Sequence, residues 1–132
     1  MKLEDLLKTF IVELGKQEKD FEFDSEFGSV LSLDDGKFQI KIEPNEQDVW
    51  LHCEIFAIPK FKKEKFYEKL LTGQLFGKFT KGAHFSLNLE SRQVLLCKSF
   101  SIENISQEEF DNQLNEFFEM CLAWEKILEE VK

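Results

Sequence analysis

The chain is poor in the residues from which small proteins build covalent or metal chemistry. Its 132 residues hold only three cysteines and two histidines. Cys53, Cys97 and Cys121 are odd in number, far apart and without a CxxC pair. That argues against a disulfide framework and for reduced thiols. No spacing among these cysteines and His52 or His84 resembles a zinc motif. Asp34-Asp35-Gly36 lacks the alternating oxygen ligands and distal Glu of a calcium loop. Lys78-Phe79-Thr80-Lys81-Gly82 has neither the length nor the order of a phosphate loop. No metal and no cofactor are expected.

Long apolar runs are missing too. Nothing approaches the ~20 residues needed to span a bilayer, so no membrane insertion is expected. The opening "MKLEDLLKTF" carries acidic residues and no small-residue cleavage pattern, unlike a secretory signal peptide. A cytoplasmic protein is expected. Positive charge is short: 17 basic residues against 26 acidic give a formal net charge of −9. Nucleic acid is excluded as a partner on that ground, because phosphate binding is driven by basic surface. Nucleophilic chemistry finds no pair either. His52 and Cys53 are neighbours on an expected strand and point to opposite faces. That leaves His84 as the other candidate base for Cys97 or Cys121. The chain is not expected to be an enzyme.

Phenylalanine, by contrast, is plentiful, at 15 residues. Phe21, Phe23, Phe27, Phe61, Phe66, Phe76 and Phe79 stand in charged or loop-like surroundings. Burial is the usual fate of such rings, and an exposed cluster would mark a protein-binding patch. Charge is uneven as well. Residues 60–81 hold seven lysines and two glutamates, and residues 103–132 hold nine acidic residues and two lysines. Such runs are solvated helix faces or complementary patches that steer a partner or a second subunit.

The hydrophobic pattern alternates between the helical and strand periods. Leu3, Leu6, Leu7, Phe10, Ile11 and Leu14 form a helical stripe, with Gly15 where a C-terminal cap belongs. Residues 16–27 read as a charged loop. Residues 28–56 read as three antiparallel strands with turns at Asp35-Gly36 and Pro44-Asn45. Phe38, Ile40 and Ile42 alternate with Lys37, Gln39 and Lys41, which leaves one face of that strand wet. Val49, Leu51, Cys53 and Ile55 alternate with Trp50, His52, Glu54 and Phe56, so this strand is expected at the centre with both faces covered. Residues 62–76 read as a second helix.

"GAHFSLNLESRQVLLCKSF", residues 82–100, reads as a hairpin whose apolar face floors the helices. Ser106 and Glu109 form a capping box for a third helix. Along that helix Leu114, Phe117, Cys121, Trp124, Leu128 and Val131 recur at helical spacing. The expected fold is α+β: one domain over 1–132, three helices on an antiparallel five-stranded sheet, in the order α-βββ-α-ββ-α.

Two stretches carry a family likeness. "LSLDDGKFQIKIEPNEQDVWLHCEIFAIP" matches a three-strand segment with an apolar-Pro exit. Residues 69–128, from "KLLTGQLF" to "WEKIL", match a helix ended by paired leucines, a Gly-Ala-opened strand, a second strand and an acidic terminal helix with an aromatic. Leu70-Leu71, Gly82-Ala83, Leu87 and Trp124 match best. In these features the chain resembles the class I chaperones of bacterial type III secretion, the Tir-chaperone-like family.

The resemblance implies a small, acidic, cytoplasmic dimer, associated with virulence and without ATPase activity. Such a protein holds the N-terminal segment of a secreted effector in extended form. On that basis Leu3, Leu7, Ile11, Val30, Leu31 and Phe38 are candidates for client binding. Phe66, Leu70, Leu71, Leu75, Phe85 and Leu87 are candidates for the dimer interface. Each set has ordinary core packing as its alternative. Thr72-Gly73-Gln74 stands where the family often has Ala-Asn. This leaves a homodimer and a heterodimer with a paralogous chaperone both open. A regulatory protein-interaction subunit, linked to transcription, is the alternative function.

Overall fold

The computed structural model describes residues 3–13, 21–24, 28–33 and 37–131. The elements are α1 (Leu3–Glu13), β1 (Phe21–Asp24), β2 (Gly28–Leu33), β3 (Phe38–Asn45), β4 (Asp48–Ala57), α2 (Lys63–Gly73), β5 (His84–Asn88), β6 (Gln93–Ser101) and α3 (Gln107–Val131). A short 3-10 turn, Leu75–Gly77, follows α2. All pairings are antiparallel, and the sheet order is β1-β2-β3-β4-β6-β5.

The α+β class and the order of helices and strands agree with the sequence reading, with one addition. The sheet has six strands, not five, because Phe21–Asp24 pairs with β2 inside the stretch read as a loop. Phe-Glu-Phe-Asp has the strand period of two, but four residues amid charge carry little signal.

The helices line one face of the sheet. Leu3, Leu6, Leu7, Phe10 and Ile11 of α1 are buried, as are Phe110, Leu114, Phe117, Cys121, Trp124 and Leu128 of α3. Beneath them lie Phe38, Ile40 and Ile42 of β3, Val49, Leu51 and Cys53 of β4, and Val94 and Leu96 of β6. Burying each such side chain stabilises the fold by about 1.5–3 kcal/mol. The start of α3 has the expected cap: the Glu109 N–H donates to Ser106 Oγ at 3.1 Å. The Gln107 side-chain amide ties α3 to α1 by donating to the Leu6 carbonyl at 2.9 Å. Leu14, Gly15 and the Asp35-Gly36 turn lie outside the described residues.

Three expectations need correction. Pro44 is inside β3, opposite Val49, and the turn falls at Glu46–Gln47 with Glu46 at φ 58°. β2 pairing stops at Ser29–Ile42, so Pro44 has one neighbouring strand and its missing N–H leaves no gap in a second ladder. β4 is central but covered on one face only, with Trp50 and Glu54 exposed on the other. The covering helices all stand on the side of Val49, Leu51 and Cys53, so the outward Trp50 meets water.

The second helix is shorter than 62–76. It ends at Gly73, and Phe76 at φ 56° departs from helical geometry. Near its end β4 carries a bulge: Glu54 pairs with Leu95 and Phe56 with Val94, which leaves Ile55 as the extra residue. The bulge turns Phe56 toward the core, where its ring lies 5.9 Å from that of Phe66.

Candidate protein-binding surfaces

The thiols sit in two environments. Cys53 on β4 and Cys121 on α3 are both buried in the core. The Cys53 thiol donates to the Glu54 backbone carbonyl at 3.7 Å. A hydrogen bond to Cys53, reinforced by burial, pushes the Cys121 thiol far up. Cys97 lies on the open face of the sheet, in register with His52 on β4 and His84 on β5. The tertiary pairing thus brings both histidines beside one cysteine, which sequence spacing did not reveal. Burial nonetheless pushes the Cys97 thiol up, against a hydrogen bond to Ser86 that pulls it down. A thiol held protonated is a poor nucleophile. His52 Nε2 is 3.1 Å from Glu43 Oε1. Among the described residues no group of three His, Cys, Asp or Glu side chains could hold a metal ion.

The open sheet face is polar. A shallow cleft of about 390 Å³ crosses it, lined by Lys37, Lys41, His52, Glu54, Asn88 and Leu95 among others. Among the described residues each edge strand of the sheet has one neighbour: β1 pairs with β2, and β5 with β6. The β5 edge is partly closed, because the Phe85 N–H donates to Gln74 Oε1 at 2.7 Å.

An apolar groove of about 290 Å³ runs between α2 and β5, bordered by Tyr67, Leu70, Leu71, Phe85 and Leu87. The dimer candidates divide here. Phe66 and Leu70 are buried in the chain's own core, Phe85 is half-buried, and Leu71, Leu75 and Leu87 are exposed. The hairpin of β5 and β6 floors the helices only in part. Val94 and Leu96 are buried, whereas Leu87, beside the α2 groove, and Leu89 stay exposed.

The client candidates are mostly enclosed. Leu3, Leu7, Ile11, Leu31 and Phe38 are all buried in the core cluster. Val30 alone is half-buried, on the open face opposite Lys41. Among the rings singled out in the sequence, Phe66 is buried while Phe61, Phe76 and Phe79 are exposed. The side chains of Phe21, Phe23 and Phe27 lie outside what the structure describes.

Thr72-Gly73-Gln74 has an intrachain purpose that sequence reasoning missed. The Thr72 hydroxyl donates to the Glu68 carbonyl at 2.8 Å. A Cβ on Gly73 would stand 2.1 Å from the Trp124 ring, so only glycine lets the indole pass. The Trp124 indole N–H then donates to the Phe79 carbonyl at 3.1 Å, and its ring meets Phe85 edge-on at 4.8 Å. Trp124 therefore ties α2, the loop before β5 and β5 itself to α3. Gly73 and Trp124 lie far apart in the sequence, with β5 and β6 between them, and no local pattern announces their contact.

Comparison with known proteins identifies the fold and the family. No curated protein sequence matches the chain. A chain of the ExsC–ExsE complex superposes with TM-score 0.77 at 17% identity, over 97% of this chain and 97% of that one. A chain of the HopA1–SchA chaperone–effector complex gives TM-score 0.68 at 17% identity, over 96% and 92%. The heterodimeric ExoU–SpcU complex of the Pseudomonas aeruginosa type III secretion system gives TM-score 0.65 at 11% identity, over 93% and 94%. These likenesses establish the shared fold. The family model for Tir chaperone proteins matches residues 5–125. The chain therefore belongs to the Tir chaperone protein (CesT) family.

Proposed function

We propose that the protein binds the N-terminal segment of a secreted effector in the cytoplasm and keeps it extended, without catalytic chemistry of its own. The observation that carries this reading is a helix-and-sheet layer in which, among the described residues, one sheet face is uncovered and β1 has a single neighbouring strand, in a chain of the chaperone family. An extended client can add a strand to such an edge through main-chain hydrogen bonds, with alternate side chains seated on the sheet. The polar bare face suits a client with charged residues between its apolar anchors. Val30 borders that face and is the client candidate already accessible. The other five lie in the core, with Phe38 packed edge-on against Phe118 of α3, and would contact a client only if the helix layer moved.

The α2–β5 groove is the proposed dimer seam, with Leu71, Leu75 and Leu87 as its accessible members. The intrachain contacts of Thr72, Gly73 and Gln74 give these residues a reason that leaves a homodimer intact. The test is co-expression with the product of the adjacent reading frame, followed by light scattering. A stable complex containing an extended, protease-protected client segment on two copies of the chain supports the proposal. A monomer that holds no client segment would overturn it.

A further inference from the structure

β3 and β4 pair from Asn45–Asp48 as far as Lys41–His52, and beyond that register the two strands run on without a ladder between them. β4 stays paired with β6 to Ala57–Gln93, and its bulge between Glu54 and Phe56 bends it on the way. The open-face cleft of about 390 Å³ lies where β3 and β4 part, with Gln39 and Lys41 on one side and His52 and Glu54 on the other. It shares no lining residue with the α2–β5 groove, the proposed dimer seam.

The cleft has more hydrogen-bond donors than its own acceptors use. Lys41 is exposed and makes no ion pair among the described residues. Lys37, the other lysine of the lining, is held by Glu125 of α3 at 2.7 Å. Asn88 Oδ1 accepts from the Glu90 and Ser91 N–H groups at 3.1 and 3.3 Å, so the amide nitrogen of Asn88 is the half left to offer donors. The side-chain amides of Gln39 and Gln93, also in the lining, make no hydrogen bond to another described residue. The carboxylates are engaged: Glu54 takes the Ser91 hydroxyl at 3.2 Å, and neighbouring Glu43 holds His52 at 3.1 Å. In a chain of net charge −9 this is a locally basic, amide-lined spot. Such a lining suits a carboxylate flanked by peptide groups, because side-chain amides match the main chain in donors and acceptors alike.

We propose that this cleft is a second contact for the client. Lys41 pairs with an aspartate or glutamate side chain of the extended segment, and Gln39, Gln93 and Asn88 bond the main chain beside it. The inference rests on the client-binding reading above and adds the residue type that the client must carry. Val30, the accessible client candidate, is the cross-strand neighbour of Lys41, so the path from the β1 edge to the cleft passes over it. A client strand added at β1 lies three strand spacings from β3, about 14 Å. About five extended residues cover that distance, so the acidic residue belongs about that far along the client from the segment paired with β1.

The test takes a fluorescent peptide that spans the protease-protected client segment of the co-expressed complex and titrates it with the chain by anisotropy. Lys41→Glu should weaken binding by about tenfold, with an unchanged circular dichroism spectrum because the side chain is exposed. Gln93→Ala should weaken it by about threefold. Replacing the matching acidic residue of the client by lysine should weaken binding to the parent chain and restore it to Lys41→Glu. Parent-like binding by Lys41→Glu would overturn the inference and leave the proposed function standing. So would a loss that no acidic-to-lysine exchange in the client restores. A shift of Lys41→Glu toward monomer in light scattering, with client affinity unchanged, would also overturn it and assign the face to a second copy of the chain. A parent chain that binds no client segment overturns both readings.

Discussion

Beneath α1 and α3, leucines, isoleucines and phenylalanines are sealed between helix and sheet. At the corner of α2 and β5 the same residue types stand in water. Leu6 and Leu7 are fully buried, while Leu71 and Leu87 are exposed. The difference lies in what stands opposite. Under α1 and α3, Phe38, Ile40 and Ile42 of β3, Val49, Leu51 and Cys53 of β4, and Val94 and Leu96 of β6 are buried. β5 is the last strand, and Trp124 is the aromatic that reaches it from α3. The first region specifies the fold. The second carries surface that folding leaves unused, which is the condition for binding another chain.

Trp124 is where the two regions join, and its removal should break the comparison most sharply. Trp124→Ala is expected to cost about 3–5 kcal/mol, read as a lower urea midpoint, because it empties a packed site and frees the loop at Phe79. Retention of the parent midpoint would show that the corner stands without it. Gly73→Ala attacks the same contact from the other side, since the new methyl must displace the indole. Its expected cost is about 1–3 kcal/mol in thermal or chemical unfolding. The Trp124→Phe exchange should partly relieve it, so a double-mutant cycle should give a non-zero coupling.

Leu71→Asp with Leu87→Asp should leave monomer stability within about 0.5 kcal/mol, because both side chains are already exposed. The same pair should shift the oligomer toward monomer in light scattering. An equal loss of stability and assembly would mean that these leucines serve the core after all.

The smallest effect belongs to α1. A hydrogen bond to Asp111, together with the charge of that neighbour, raises the Glu13 carboxyl above its usual range. A carboxyl whose pKa is higher in the folded state loses stability when it ionises, and regains it as pH falls through the raised value. Glu13→Gln should therefore raise the melting temperature slightly at neutral pH and make no difference in mild acid. A difference that instead grows as pH falls would contradict this sign.

Much of the fold was legible because it depends on local period. The stripe of α1, the cap at Ser106 and the alternation of β3 all carry their own pattern. β1 was not legible, because four charged-flanked residues become a strand only once β2 lies beside them. The turn after β3 was misplaced for a similar reason: Pro44 breaks a ladder only where a second strand needs its N–H. Among candidate binding residues, residue type was a poor guide to accessibility. Leu70 and Leu71 are adjacent and chemically identical, yet one is in the core and the other in water. Their fate depends on helix phase relative to Trp124 and β6, which neighbours in sequence do not encode.

By itself the sequence determined the order of helices and strands, the acidic balance, the basic segment around α2 and the family likeness. These follow from composition and from side-chain period along a single element. Only the tertiary structure decided which apolar residues are left over, which strands lie at the ends of the sheet, why Gly73 must be glycine, and that His52 and His84 flank Cys97. Each of those depends on contacts between residues far apart in the chain, and such contacts exist only after the layers have packed.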